Sequence, residues 1–122
     1  MMKKMAAFGA ALSMMAVPAL AMADSYGAIS YSPTTKSYGW SHDYNSQREA
    51  ENAANEACYD RADDCQVAVW FRDACGAVAA GDRGWGADWG NNKRQARRKA
   101  LSQCEEVSGN CQIIHAQCSP NE

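Results

Sequence analysis

The sequence predicts an α+β domain: a mostly antiparallel sheet from two tandem strand–strand–helix–strand repeats, both helices on one face, held by three disulfides. Three observations carry this. Residues 46–67 lie over residues 92–113 at a constant shift of 46, with six of 22 positions identical. The identities are Arg48/Arg94, Ala50/Ala96, Ala54/Ala100, Cys58/Cys104, Cys65/Cys111 and Gln66/Gln112. Alternating and helical apolar patterns follow one another in the same order in both halves. All six cysteines fall after a leader-like start.

That start occupies residues 1–23. Lys3 and Lys4 precede an apolar run from Met5 to Leu20, and Ala21-Met22-Ala23 is a small-x-small cleavage site. The pattern reads as a secretory signal peptide cut after Ala23. A membrane anchor is the weaker reading, because Pro18 interrupts a short apolar core and no second hydrophobic run follows. Residues 24–122 then form a single disulfide-stapled domain. Without Lys3 and Lys4 it holds 10 basic and 14 acidic side chains, a net charge of about −4. That balance argues against nucleic acid as the main partner.

The elements follow in order. Tyr26 to Tyr31 reads as a strand, Ser32 to Lys36 as a turn, and Ser37 to His42 as a second strand. Ser46-x-x-Glu49 is a capping box opening a helix to about Cys58. Its apolar face is Ala50, Ala53, Ala54, Ala57 and Cys58, at helical spacing. Cys65 to Arg72 is the third strand. The central stretch, CQVAVWFRDACGAVAAG, passes from this strand into the next, Gly76 to Ala80. A tight turn at Gly81 to Gly84 leads to Trp85 to Trp89. Asn92-x-x-Gln95 caps the second helix, to about Glu105, with Ala96, Ala100, Leu101 and Cys104 on its apolar face. Cys111 to Gln117 is the last strand. Upstream, Gly27-Ala28-Ile29 resembles Gly76-Ala77-Val78 at a shift of 49, so the first hairpin loop is the longer one.

An even cysteine count in a small exported chain reads as disulfides. Zinc is disfavoured, because no C-x2-C pair occurs and the histidines are His42 and His115 alone. Cys58/Cys65 and Cys104/Cys111 are equivalent pairs, each joining a helix end to the next strand. If each closes locally, Cys75 and Cys118 remain, and their bond would fasten the seam between the copies to the chain's end.

YGAISYSP, the capped alanine-rich helix ending at Cys58, CQVAVWFRDACGAVAAG and the second helix ending at Cys104 together resemble the bacterial domain of unknown function 4189 family. The similarity covers Tyr26 to Cys118. The resemblance implies a small exported protein; it brings no activity and no catalytic residues.

Several groups have chemistry-bearing types. Ser41-His42-Asp43 has triad components, but consecutive side chains on a strand point to opposite faces. His115 lies among Ile113, Ile114 and Ala116, as a partly buried strand residue does. Asp63-Asp64 and Glu105-Glu106 are adjacent acids of the short cysteine loops, and neither makes a calcium loop or a cleft-spanning pair. The second helix carries Lys93, Arg94, Arg97, Arg98 and Lys99 where the first carries Glu49, Glu51 and Glu56. Cations at a helix N-terminus oppose its dipole, which points to an anionic partner; the alternative is a solvated helix face, salt-bridged in part to the first helix. Trp85 and Trp89 share a face of the second hairpin, with Trp40 and Tyr38 on the matching strand, while Gly84, Gly86 and Gly90 leave the other face bare. These rings either cover the core or form a platform for sugars.

The expected function is therefore non-enzymatic binding in the periplasm or outside the cell, directed at an envelope or extracellular protein. Its surface would be drawn from Lys93, Arg94, Arg97, Arg98, Trp85, Trp89 and Trp40, with no catalytic or metal residues and no cofactor. A cell-wall glycan or peptidoglycan binder using the Trp hairpin is the alternative, and a small hydrolase the third reading.

Overall fold

Large and small side chains alternate along the first strand of each repeat, and this alternation sets the layers of the molecule. The computed structural model describes residues 23–121. Their order is β1 (Tyr26–Tyr31), β2 (Tyr38–Tyr44), α1 (Gln47–Tyr59), β3 (Gln66–Arg72), β4 (Ala74–Ala80), β5 (Trp85–Gly90), α2 (Lys93–Glu105) and β6 (Gln112–Ser119). The expected signal segment falls on residues outside this span, apart from Ala23.

The strands form two antiparallel three-stranded sheets, β2-β1-β3 and β5-β4-β6, one per repeat. The α+β class and the strand–strand–helix–strand order hold, while the expected sheet is divided in two. The reason lies in the side-chain sizes. Ala28 on β1 packs with Ala50 and Ala54 of α1. Its neighbours Ile29 and Tyr31 enter a cluster with Phe71, Val78 and Ala80. On β4, Ala77 and Ala79 meet Ala96, Ala100 and Cys104 of α2. The large residues thus lie between the two sheets, and the small ones lie under the helices. Each helix covers one face of its own sheet, but the two helices sit on opposite sides of the molecule. They do not pair with each other.

Close helix approach needs bare backbone. A Cβ at Gly39 of β2 would strike the Cys58 amide and the Ala54 carbonyl of α1. Gly86 of β5 stands in the equivalent place against Cys104 and Gln103 of α2. The glycine face of the second hairpin is therefore not bare: α2 fills it.

Two bulges recur in register. Ile29 pairs with Val69 and Ser30 with Val67, leaving Ala68 unpaired. Val78 pairs with His115 and Ala79 with Ile113, leaving Ile114 unpaired. Ala68 and Ile114 are separated by the repeat shift.

The caps form as expected on one side. Ser46 Oγ accepts from the Glu49 amide at 3.2 Å, and Asn92 Oδ1 from the Gln95 amide at 2.8 Å. The returning arm of the second cap reaches one residue further back than a capping box, with Gln95 Oε1 accepting from the Asn91 amide.

The disulfides are Cys58–Cys65, Cys104–Cys111 and Cys75–Cys118. The third joins directly opposed residues of β4 and β6. It therefore lies inside the second repeat and does not fasten one copy to the other. That task falls to the apolar layer, where the Phe71 ring rests against both Gly27 and Gly76, equivalent residues of β1 and β4.

Candidate functional site

The basic residues of α2 stand on an outer surface of the molecule. Arg94, Arg97 and Arg98 are exposed and Lys93 is half-buried. None of the four is in an ion pair among the described residues. The first helix, which could have neutralised them, is on the far side. Lys99 turns toward the β5 edge, with Nζ 3.8 Å from Asp88 and 4.9 Å from the centre of the Trp89 ring. Trp89 also lines a cleft of about 320 Å3 with Trp70, Phe71 and Arg72. Trp70 stacks on Tyr26 with centroids 6.3 Å apart. Lys99 thus joins the exposed Trp89 to the β5-side flank of α2, whereas Arg94 and Arg97 stand on the opposite flank of the helix at helical spacing.

The other Trp residues separate. Trp85 packs in the layer between the sheets, its ring 5.4 Å from Tyr31. It shares a face with Trp89, as the alternation requires, but it is half-buried against the opposite sheet. Trp40 is exposed on β2, next to a stack of rings across the sheet interface. His115 lies between Tyr38 and Trp40, at centroid distances of 5.0 and 5.4 Å, and His42 continues the row at 5.7 Å from Trp40. The bulge at Ile114 turns His115 onto this face. Burial lowers the His115 pKa, as Lys93 also does more weakly.

Trp40 further borders an open groove of about 1030 Å3 between β2 and α1. Tyr44, Asn52, Glu56, Tyr59 and Asp60 line it. Sequence reasoning missed these residues. The available signal was the helical stripe Asn52, Glu56, Tyr59, Asp60 beside the alanine face.

The triad-like residues divide between two faces. Ser41 Oγ donates to the Ala50 carbonyl at 2.7 Å, on the helix side. Asp43 accepts from His42 Nδ1, aided by a left-handed backbone at Asp43 (φ 64). The His42 bond, then the Asn121 amide, lowers the Asp43 pKa. Of the paired acids, Asp64 accepts from Ser32 and Thr34 in the first hairpin loop, which lowers its pKa. Asn110, its repeat counterpart, donates to Asp82 of the second loop at 2.7 Å. Asp63, Glu105 and Glu106 are exposed. The disulfides occupy all six cysteines.

Fold and surfaces together define a small, disulfide-stapled α+β sandwich of two tandem copies. The chain belongs to the family described as Domain of unknown function (DUF4189), whose model matches residues 26–118 and so spans both repeats. It is similar to Protein Rv1269c of Mycobacterium tuberculosis and to Protein Mb1300c of Mycobacterium bovis. Each is 42% identical over 80 residues, covering 66% of this chain and 61% of the relative. The match therefore takes in about three fifths of those proteins. No solved structure matches. Three disulfides, and no helix among the described residues long and apolar enough to cross a membrane, are consistent with a place outside the cytoplasm.

Proposed function

We propose that this chain is a non-enzymatic binding module of the periplasm or extracellular space, directed at an acidic face of another protein as an inhibitor or interaction domain. One observation carries the reading: Arg94, Arg97 and Arg98 are exposed and free of ion pairs among the described residues. Trp and Arg are the residue types that dominate binding hot spots. The repeat supplies a comparison. At the places of Arg97 and Arg98, the first copy builds the same helix with Glu51 and Asn52. The fold therefore does not demand these arginines. Ser41, turned away from His42 and bonded to a carbonyl, supports the non-enzymatic side of the proposal. The Trp hairpin as a sugar platform loses support, because half-buried Trp85 packs against Tyr31 in the layer between the sheets while Trp89 stands exposed.

The test is affinity capture of envelope proteins by the oxidised chain, repeated with Arg94→Glu/Arg97→Glu/Arg98→Glu and with Trp89→Ala. A specific partner should be lost with both variants, and native affinity should fall as salt rises. A partner retained by the triple reversal would sink the proposal.

A further inference from the structure

We infer that the cleft between the two hairpin loops is a binding site for a small aromatic carboxylate, separate from the α2 surface. Tyr31 closes β1 and Trp85 opens β5, so the layer between the sheets ends at this cleft. The first hairpin loop stands on one side and the second on the other, and Lys36 Nζ crosses to the Gly81 carbonyl at 3.3 Å. The enclosed space is about 540 Å3, within the range of small-molecule sites. Tyr31, Lys36, Asp82, Arg83, Trp85 and Val107 are among the residues that line it.

One group in the cleft is left unused by the fold. Tyr31 is only 1% exposed, and no hydrogen bond among the described residues reaches its hydroxyl. Buried polar groups are nearly always paired. Burial raises the Tyr31 pKa, which keeps the phenol protonated and able to donate. The cations beside it are free as well: Lys36 and Arg83 are exposed and in no ion pair among the described residues. A carboxylate answers all three donors. Asp82 sets its charge. Two cations and one acid leave a single net positive charge in the cleft, which matches a monoanion and disfavours a phosphate dianion. Half-buried Trp85 and exposed Val107 supply an apolar wall suited to a flat ring. The walls are fixed before a ligand arrives. The Ser32 amide donates to the Ser37 carbonyl at 2.9 Å, and the Gly81 amide to the Gly84 carbonyl at 2.8 Å. The Arg83 amide donates to Ser108 Oγ at 2.8 Å, tying the second loop to the segment after α2. Preorganised loops spare the ordering cost of binding.

The experiment titrates the oxidised chain with phenylacetate, indole-3-acetate and phenyl phosphate at neutral pH, reading amide NMR spectra. At least one carboxylate should saturate, move the amides of Lys36 and of Gly81 to Trp85, and bind more tightly than phenyl phosphate. Lys36→Gln and Arg83→Gln should each weaken it about tenfold. Tyr31→Phe should weaken it severalfold yet leave the melting temperature unchanged or raised, because it removes a buried hydroxyl that has no partner. The triple reversal on α2 should leave carboxylate binding unchanged, so this site and the protein-directed surface succeed or fail separately. The inference is overturned if neither carboxylate binds at millimolar concentration, or if phenyl phosphate binds more tightly than both. It is equally overturned if binding survives Lys36→Gln/Arg83→Gln in a variant with native circular dichroism. A lower melting temperature for Tyr31→Phe would also overturn it, since the hydroxyl would then have a partner in the fold.

Discussion

His115 stands where the first repeat has Val69, and it shows how one residue gives the two copies different chemistry. Both follow a bulge, and both face the layer between the sheets. The imidazole is stacked between Tyr38 and Trp40, and burial holds its pKa below the ordinary 6.5. The unfolded chain therefore takes the proton first as pH falls. The His115 contribution is complete above pH 6.5 and declines below it. Thermal unfolding should give a lower melting temperature at pH 5.5 than at pH 7.5, and His115→Val should flatten that difference. The aspartates act in a separate window. The Asp43 and Asp64 carboxylates are held below the ordinary 3.8 by their hydrogen bonds, so their contribution is present above that value and is lost as pH falls beneath it. Asp64→Asn should reduce the acid-side loss of stability, measured by denaturant unfolding between pH 5 and pH 2.5. These roles were only partly legible in the sequence. A strand pattern marks His115 as half-buried, but the aromatic rings on either side come from a strand more than 70 residues away.

Gly39 and Gly86 decide the spacing of each helix from its sheet. The alanine faces of α1 and α2 allow close approach, and the glycines opposite them make it possible. Gly39→Ala places a Cβ against helix backbone, which no rotamer change relieves. It should cost about 2–3 kcal/mol or more, at the upper end for overpacked cores. The cap variants Ser46→Ala and Asn92→Ala should each cost about 1 kcal/mol. Urea unfolding of the three variants orders these effects, and a Gly39→Ala cost no larger than that of the caps would refute the close-packing account. At this scale the sequence was most informative. Capping residues, the alanine stripe and the cysteine register are local signals, and all eight elements follow from them. What helix and strand periodicity cannot say is which partner covers each face. Ala28-Ile29-Ser30-Tyr31 alternates small and large, but the same alternation suits one sheet with a solvated face or two sheets in contact. The packing of Trp85 against Tyr31 and the separation of α1 from α2 were hidden for the same reason.

Beyond the chain itself, the two copies are held together by packing, since each disulfide lies within one repeat. Each short disulfide closes a separation of 7 residues within one repeat, and Cys75–Cys118 closes 43 residues within the second. In the first copy the places of Cys75 and Cys118 are held by Tyr26 and Arg72, directly opposed on β1 and β3. Ile29, Tyr31, Phe71 and Val78, the largest fully buried apolar side chains, belong to the layer shared by both sheets. Beneath each helix there are mainly alanines and cysteines, whose burial contributes little at about 25 cal/mol per Å2. Neither copy therefore holds an adequate core alone. Cys75→Ser/Cys118→Ser should cost about 4 kcal/mol by the loop-entropy relation, against about 2.5 kcal/mol for either short bridge. Although the lost bridge lies wholly in the second sheet, the variant should unfold both sheets together, because the shared layer cannot be kept by one. Urea unfolding followed by far-ultraviolet circular dichroism and by tryptophan fluorescence should give coincident midpoints, shifted equally from the native chain. Two separate transitions, with β1 to β3 surviving after β4 to β6 have melted, would show that the first copy folds independently and that the apolar layer does not bind them into one unit.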